Sequence, residues 1–266
     1  MFTISQTISS VQNQFALVPF ITAGYPNLKV TKELLYLLDK SGANAIELGI
    51  PYSDALADGI MIQESSRIAL EQKIHIDEVL NLVKQVSYDI VAPIIVFTYY
   101  NPILCRGLDI FIKELKDSGV KGLVIPDLPL EEADYLIYLC NQYSIELILF
   151  VSPTSSEKRI SSIIAKAPGC IYLVSSCGVT GLRGSINVDI ENIVNTIKKR
   201  TDKCIMLGFG ISNSNQVSDL MNLNLNIDAI VMGSAFISKI RDCLLLNNYE
   251  QVGEFCKQIK MVMSHK

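Results

Sequence analysis

Histidine is almost missing from this 266-residue chain, which has only His75 and His265. His75 lies in a polar stretch and His265 beside the final residue, so both read as solvated surface side chains. The chain therefore offers neither a histidine metal cage nor a histidine general base. Its seven cysteines (105, 140, 170, 177, 204, 243 and 256) are scattered, with no Cys-x-x-Cys pair. That spacing argues against a zinc site or a secreted disulfide framework, and for a reducing compartment. No long basic run occurs and the net charge is −4, so nucleic acid is a poor partner. Apolar runs are short and interrupted, as in Ile90-Val-Ala-Pro-Ile-Ile-Val-Phe97, so no membrane-spanning helix is expected. A nicotinamide fingerprint of the G-x-G-x-x-G kind is absent. No charged n-region with an apolar h-region and no long Arg/Ser-rich stretch precedes the first strand at Ala16, so a signal or transit peptide is not expected here.

Hydrophobic residues make up 49% of the chain and charged ones 19%, which supports a sizeable core and excludes a disordered chain. Isoleucine outnumbers alanine and lysine outnumbers arginine, a bias suggesting an AT-rich genome. A soluble protein of a plastid (chloroplast) stroma is the expectation, with a bacterial cytoplasm as the alternative.

Short β-branched runs recur along the chain, each followed by an amphipathic stretch. The strand candidates are 16–22, 45–49, 93–98, 122–126, 146–151, 170–175, 203–208 and 228–233. Helical periodicity covers 30–41, 77–86, 108–118, 130–143, 156–165, 188–199, 213–221 and 249–263. Strands that are apolar throughout indicate a parallel sheet buried on both faces. Eight such units in this length predict an α/β fold, a (β/α)8 TIM barrel forming one domain over 1–266 with a short N-terminal extension. No linker rich in Pro, Gly or Ser divides it.

Functional groups in such a barrel gather at the C-terminal ends of the strands. The most informative segment is Ala45-Ile-Glu-Leu-Gly-Ile-Pro-Tyr-Ser-Asp-Ala-Leu-Ala-Asp-Gly59. It sets Glu47 inside an apolar strand and Asp58 at the far end of a tight loop. A carboxylate in a strand core costs free energy unless it is hydrogen-bonded or catalytic. Two acids in different environments can take different pKa values, hence an acid and a base role. Read alone, the segment equally allows a buried structural acid and a turn residue.

Strands six to eight end in Gly178-Val-Thr-Gly181, Gly208-Phe-Gly-Ile-Ser212 and Gly233-Ser-Ala235. Glycines and a serine at these ends suit phosphate held by backbone N–H groups and a helix N-terminus, with Ser234 able both to bind and to cap. No lysine ends a strand: Lys121 and Lys203 precede strands on the opposite face, so a Schiff-base aldolase lacks its nucleophile. What remains is a phosphorylated small substrate, carboxylate acid–base chemistry and an apolar mouth of Phe20, Tyr99, Tyr172 and Phe209. For Tyr99 the reading leans towards core.

These motifs, with Pro19-Phe-Ile-Thr-Ala-Gly-Tyr-Pro26 and Pro126-Asp-Leu-Pro-Leu-Glu131, closely resemble the tryptophan synthase α chain family, in order from Phe15 to Phe236. The resemblance implies cleavage of indole-3-glycerol phosphate to indole and glyceraldehyde 3-phosphate in L-tryptophan biosynthesis, a carbon–carbon lyase reaction. Glu47 then corresponds to the catalytic acid–base and Asp58 to the second catalytic carboxylate. Phe20, Tyr172, Thr180, Gly181, Phe209, Gly210, Gly233 and Ser234 fall at substrate-binding positions, Thr180 as the threonine that helps close a lid. Asp127 matches an acid that couples closure to the partner.

The same resemblance implies no metal and no cofactor in this chain. Pyridoxal phosphate is expected only in a β-chain partner, within an α2β2 assembly contacted through loops 52–56, 101–104 and 127–129. Ala55 and Ile60 depart from the family by replacing prolines, which puts the rigidity of their loop in question. Cys177 stands where a small or hydroxylated residue is common, either as a spacer or as a reactive thiol. Alternatives left open are a free-standing indole-glycerol-phosphate lyase, a phosphosugar isomerase or synthase, and a catalytically silent barrel that only binds or activates a partner.

Overall fold

Eight strands pair in chain order, all parallel, until the eighth returns to the first and closes a barrel. The computed structural model describes residues 3–11, 15–174, 186–208, 210–246 and 248–264. In chain order the elements are α1 (Ile4–Ser9), β1 (Ala16–Thr22), α2 (Leu28–Lys40), β2 (Ile46–Gly49), α3 (Ile60–Glu71), α4 (Ile76–Val86) and β3 (Ile94–Phe97). They continue with α5 (Tyr100–Arg106), α6 (Leu108–Ser118), β4 (Gly122–Val124), α7 (Ala133–Gln142), β5 (Glu146–Val151), α8 (Glu157–Lys166) and β6 (Cys170–Val174). The last are α9 (Ile186–Lys198), β7 (Cys204–Gly208), α10 (Ser214–Asn222), β8 (Ala229–Met232), α11 (Ser234–Asp242) and α12 (Glu250–Ser264).

Strand alternation divides the core in two. Leu17, Ile21, Ile46, Leu48, Leu123, Leu147 and Ile230 point outward to the helices, where the amphipathic faces of α2 (Leu34, Leu35, Leu38) and its neighbours cover them. Ala16, Val18, Ile95, Val124, Ile148, Met206 and Ala229 point into the barrel. Each fully buried leucine of the outer layer contributes about 1.5–3 kcal/mol.

The barrel's lower end, where strands begin, is closed by α1. Thr3 and Gln6 form its capping box, and Ile4 and Ile8, one turn apart, are buried with the inner cluster. A Cβ at Gly122 would lie 2.9 Å from Ile4 Cγ1, so β4 begins with glycine where the plug enters.

All eight strands and the eight helices expected from periodicity are present, with ends shifted by up to two residues except at 130–143. There the chain first makes a 3-10 turn, Leu130–Glu132, after Pro129, and then α7. The helices α1, α3, α5 and α11 are additional. α3 hid from periodicity because it buries Ser65, Ser66 and Ala69 rather than large apolar residues. α11 follows β8 after a single residue, so its Ala235, Phe236, Ile237 and Ile240 merged with the strand's own apolar run.

Candidate active site

Two carboxylates are buried in the strands, and their surroundings separate their roles. Glu146, at the lower end of β5, accepts from Ser5 N (3.0 Å), Ser5 Oγ (2.8 Å) and Cys170 N (2.7 Å). It is a satisfied structural acid that ties α1 and β6 to β5. Glu47 sits on β2 between outward-facing Ile46 and Leu48, 1% exposed, in register with Phe20 of β1 and Ile95 of β3. Its Oε1 has no hydrogen-bond partner among the described residues. Burial, and then the nearby Asp58 charge, push its carboxyl up to about 8, against an opposing hydrogen bond with Tyr172.

Asp58 lies in the loop between β2 and α3, partly buried, and burial raises it to about 6 while a hydrogen bond with Tyr99 opposes the rise. The Tyr99 hydroxyl also accepts from Ala57 N at 3.1 Å. Tyr99 is 3% exposed, so it belongs to the core as expected, yet its hydroxyl also positions the acid-bearing loop. Its phenol is raised in turn by burial and by Asp58. The loop that carries Ala55 and leads into Ile60 is tied to α3: Gln63 Nε2 donates to Asp58 O (2.9 Å) and Ala55 O (3.2 Å).

Both acids line one cavity of about 410 Å³ at the C-terminal mouth of the barrel. Its walls include Phe20, Ile62, Phe97, Phe150, Tyr172, Val174 and Val231. Phe20 meets Phe97 edge to face at 5.6 Å, and Phe150 leans on Tyr172 at 4.8 Å. A flat apolar ring suits such walls. Phe97 and Phe150 were not singled out from the sequence; their signal was an aromatic at the last or next-to-last position of an inward-facing strand.

Two glycines make the aromatic walls possible. A Cβ at Gly208 would lie 2.2 Å from Tyr172 Cε1, and one at Gly49 2.6 Å from Phe20 Cζ. Gly208 was expected to serve a phosphate, and its Cα also clears the space that the Tyr172 ring occupies.

Gly210, Gly233 and Ser234 line the same cavity. A Cβ at Gly210 would meet nothing within 4 Å, and one at Gly233 would press to 3.2 Å on Ile62 Cδ1. Gly233 occupies the N-cap of α11, and Ser234 is its first helical residue with no capping hydrogen bond at this end. Ser234 therefore does not cap, contrary to expectation; its place in the first turn leaves N–H groups directed towards the cavity end of the helix. Thr180, Gly181, Phe209, Cys177 and His265 lie outside the described residues.

The segments expected to meet a partner are hydrogen-bonded to one another beside the site, and 101–104, expected as a loop, lies within α5. Asp127 Oδ1 accepts from Tyr100 N (2.8 Å), Asn101 Nδ2 donates to Tyr52 Oη (3.4 Å), and the Tyr52 and Tyr99 rings lie 5.2 Å apart. Among the described residues, no cluster of three His, Cys, Asp or Glu side chains is arranged to hold a metal, and no helix is long and apolar enough to cross a membrane.

Comparison with known proteins agrees with this fold. Residues 7–264 match the model of the family described as tryptophan synthase alpha chain. The chain is 56% identical over 260 residues to the tryptophan synthase alpha chain of Gracilaria tenuistipitata var. liui, covering 98% of this chain and 96% of that one. It is 43% identical to that of Microcystis aeruginosa, covering 99% and 100%. Among solved structures, tryptophan synthase subunit alpha from Legionella pneumophila superposes over the whole of both chains with a TM-score of 0.88 at 29% identity.

Proposed function

The chain belongs to the tryptophan synthase alpha chain family, and we propose that within it Glu47 and Asp58 are the working acids. The protein is a carbon–carbon lyase that cleaves indole-3-glycerol phosphate to indole and glyceraldehyde 3-phosphate in L-tryptophan biosynthesis. The observation that carries the assignment is a pair of carboxyls on one cavity with separated pKa values, about 8 for Glu47 and about 6 for Asp58.

Near neutral pH that order leaves Glu47 largely protonated and Asp58 largely ionised. Glu47 delivers a proton to indole C3, and the indolenine C=N so formed accepts the electron pair of the breaking carbon–carbon bond. Its carboxylate then takes the proton from the hydroxyl on the carbon that becomes the aldehyde. Asp58, at the ring N–H, stabilises the positive charge that develops there. The unpaired Oε1 of Glu47 supports this role, because a buried acceptor without a protein partner is open to substrate. Phe20, Phe97, Phe150 and Tyr172 hold the ring. Gly210, Gly233 and Ser234, with Thr180, Gly181 and Phe209, bind the phosphate end and close over it. This chemistry needs neither metal nor cofactor in this chain.

A β-chain partner carrying pyridoxal phosphate, in an α2β2 assembly, is proposed to receive the indole. Supporting it are the linked segments 52–56, 101–104 of α5 and 127–129, and the exposed apolar side chains among them and nearby, Leu56 at 92% and Ile60 at 84% exposed. Composition, with relatives in Gracilaria and Microcystis, is compatible with a plastid stroma or a bacterial cytoplasm.

The test is Glu47→Gln, which keeps shape and removes the titrating proton. Indole release is expected to vanish while phosphate-bearing ligands still bind; retained turnover would overturn the assignment. Indole release at full rate without any β chain would instead favour a free-standing lyase.

A further inference from the structure

Far from the active site, at the plugged end of the barrel, two thiols face each other across neighbouring strands. Cys170 opens β6 and Cys204 opens β7, and they are direct register partners. Both belong to the cluster inside the barrel, at 0% and 4% exposure. Paired strands lie about 4.8 Å apart, within the Cα range of roughly 4.4–6.8 Å that a disulfide spans. The Cys204 sulfur also meets α1: Ser9 Oγ is 3.1 Å from Cys204 Sγ, and the thiol donates to Ser5 O at 3.6 Å. The same helix is held a second time by Glu146, through Ser5 N and Ser5 Oγ. Hence α1 both shields the thiol pair and is anchored by one member of it.

We propose that Cys170 and Cys204 form a redox-active dithiol, a disulfide-forming site gated by the docking of α1. In the first step Cys204, as thiolate, attacks one sulfur of a small external disulfide such as oxidised glutathione, forming a mixed disulfide and expelling one thiolate. Cys170 then attacks the Cys204 sulfur as its proton leaves to water or to the departing group. The second small thiolate is released, and the strands are joined by one S–S bond. Two protein thiols are oxidised and one small disulfide is reduced to two thiols.

Two features assign the order of attack. The Cys170 thiol, and then Ser9, hydrogen-bond the Cys204 sulfur and bring it down to about 7, with Lys198 assisting and burial and Asp228 opposing. Burial holds Cys170 well above the usual thiol range, with Glu146 also acting to raise it. Cys204 is therefore the nucleophile and Cys170 the resolving thiol. The other described cysteines have no such partner: Cys140, Cys243 and Cys256 are buried apart and Cys105 is exposed on α5.

The test incubates the full chain with oxidised glutathione at pH 8 and maps its peptides by mass without reduction. The expected product is a Cys170–Cys204 cross-linked peptide that has lost two hydrogens, reversed by dithiothreitol. In Cys170→Ser a stable glutathione adduct at Cys204 should accumulate instead. Loosening the plug with Ser5→Ala, or with Glu146→Gln, should speed formation roughly tenfold, because local opening controls the access of buried sulfurs. The Ser5→Ala variant keeps the buried carboxyl, so it reports even if Glu146→Gln folds poorly. Adducts on Cys105 with none at Cys170 or Cys204 would overturn the proposal. So would a cross-linking rate unchanged in Ser5→Ala.

Discussion

The hydroxyl of Tyr99 accepts a hydrogen bond from the backbone of Ala57 at 3.1 Å while it also hydrogen-bonds the neighbouring Asp58. One phenol thus fixes the backbone of the acid-bearing loop and tunes the acid itself. Removing the hydroxyl in Tyr99→Phe should cost about 1 kcal/mol of stability for the lost backbone bond. It should also move the pKa of Asp58 further upward, since the hydrogen bond is what opposes the rise due to burial. Titration of Asp58 by carboxyl NMR, together with the acid limb of the rate profile, checks the direction.

The rate should depend on pH as a bell. With the proposed roles, Asp58 is ionised and Glu47 protonated at the start of the reaction, so kcat/KM should rise through about 6 and fall through about 8. The two acids interact, so the limbs belong to the pair. In Asp58→Asn the residual activity should lose its acid limb. A profile flat between pH 5 and 9 would contradict the assignment.

Stability should carry the same signature with a definite sign. The folded pKa of Glu47 is above its ordinary 4.5, so between 4.5 and about 8 the folded state binds more protons than the unfolded one. Stability is then complete below 4.5 and declines as pH rises through about 8. Glu47→Gln removes this decline, so denaturant midpoints of mutant and parent should diverge in the mutant's favour from pH 5 to pH 9.

Gly208→Ala should damage the site without disturbing the barrel's outer layer. The new methyl would lie 2.2 Å from the Tyr172 ring, which has Phe150 behind it at 4.8 Å. Overpacking of this kind costs about 1–3 kcal/mol. Indole release should fall at least tenfold, and the double variant Gly208→Ala with Tyr172→Leu should recover stability but not rate.

Gln63→Ala should release the loop. Its amide donates to both Ala55 O and Asp58 O, bonds worth about 0.5–1.5 kcal/mol each. Expected outcomes are a higher KM and a lower kcat together, with a melting temperature lowered by about 2–4 °C per kcal/mol lost.

Much of this molecule was legible along the chain. Strand and helix order follow from local periodicity, because an apolar run between turn residues has few other ways to bury its side chains. Eight repeats of that unit leave little but a closed barrel. Glu47 was legible because a carboxylate inside an apolar strand is conspicuous, and Asp58 because it ends the same short motif. Less visible were helices such as α3, whose buried face is made of Ser65, Ser66 and Ala69, residues that carry almost no periodic hydrophobic signal.

What the linear order could not decide was which groups meet. Glu47 and Glu146 look alike in sequence, each an acid among aliphatic residues. Folding gives Glu146 three donors from α1 and β6 and leaves an oxygen of Glu47 unpaired against a cavity. Tyr99 reads as core until the fold brings its hydroxyl to Ala57, 42 positions away in the chain. Gly208 reads as part of a phosphate-binding strand end until Tyr172 of the neighbouring strand needs its missing Cβ. Local patterns are set by side-chain hydrophobicity and backbone preference, which act over a few residues. Desolvation, hydrogen-bond partners and steric fit depend on residues far apart in the chain, and these turn one buried carboxylate into a brace and leave the other with a raised pKa and an unpaired oxygen.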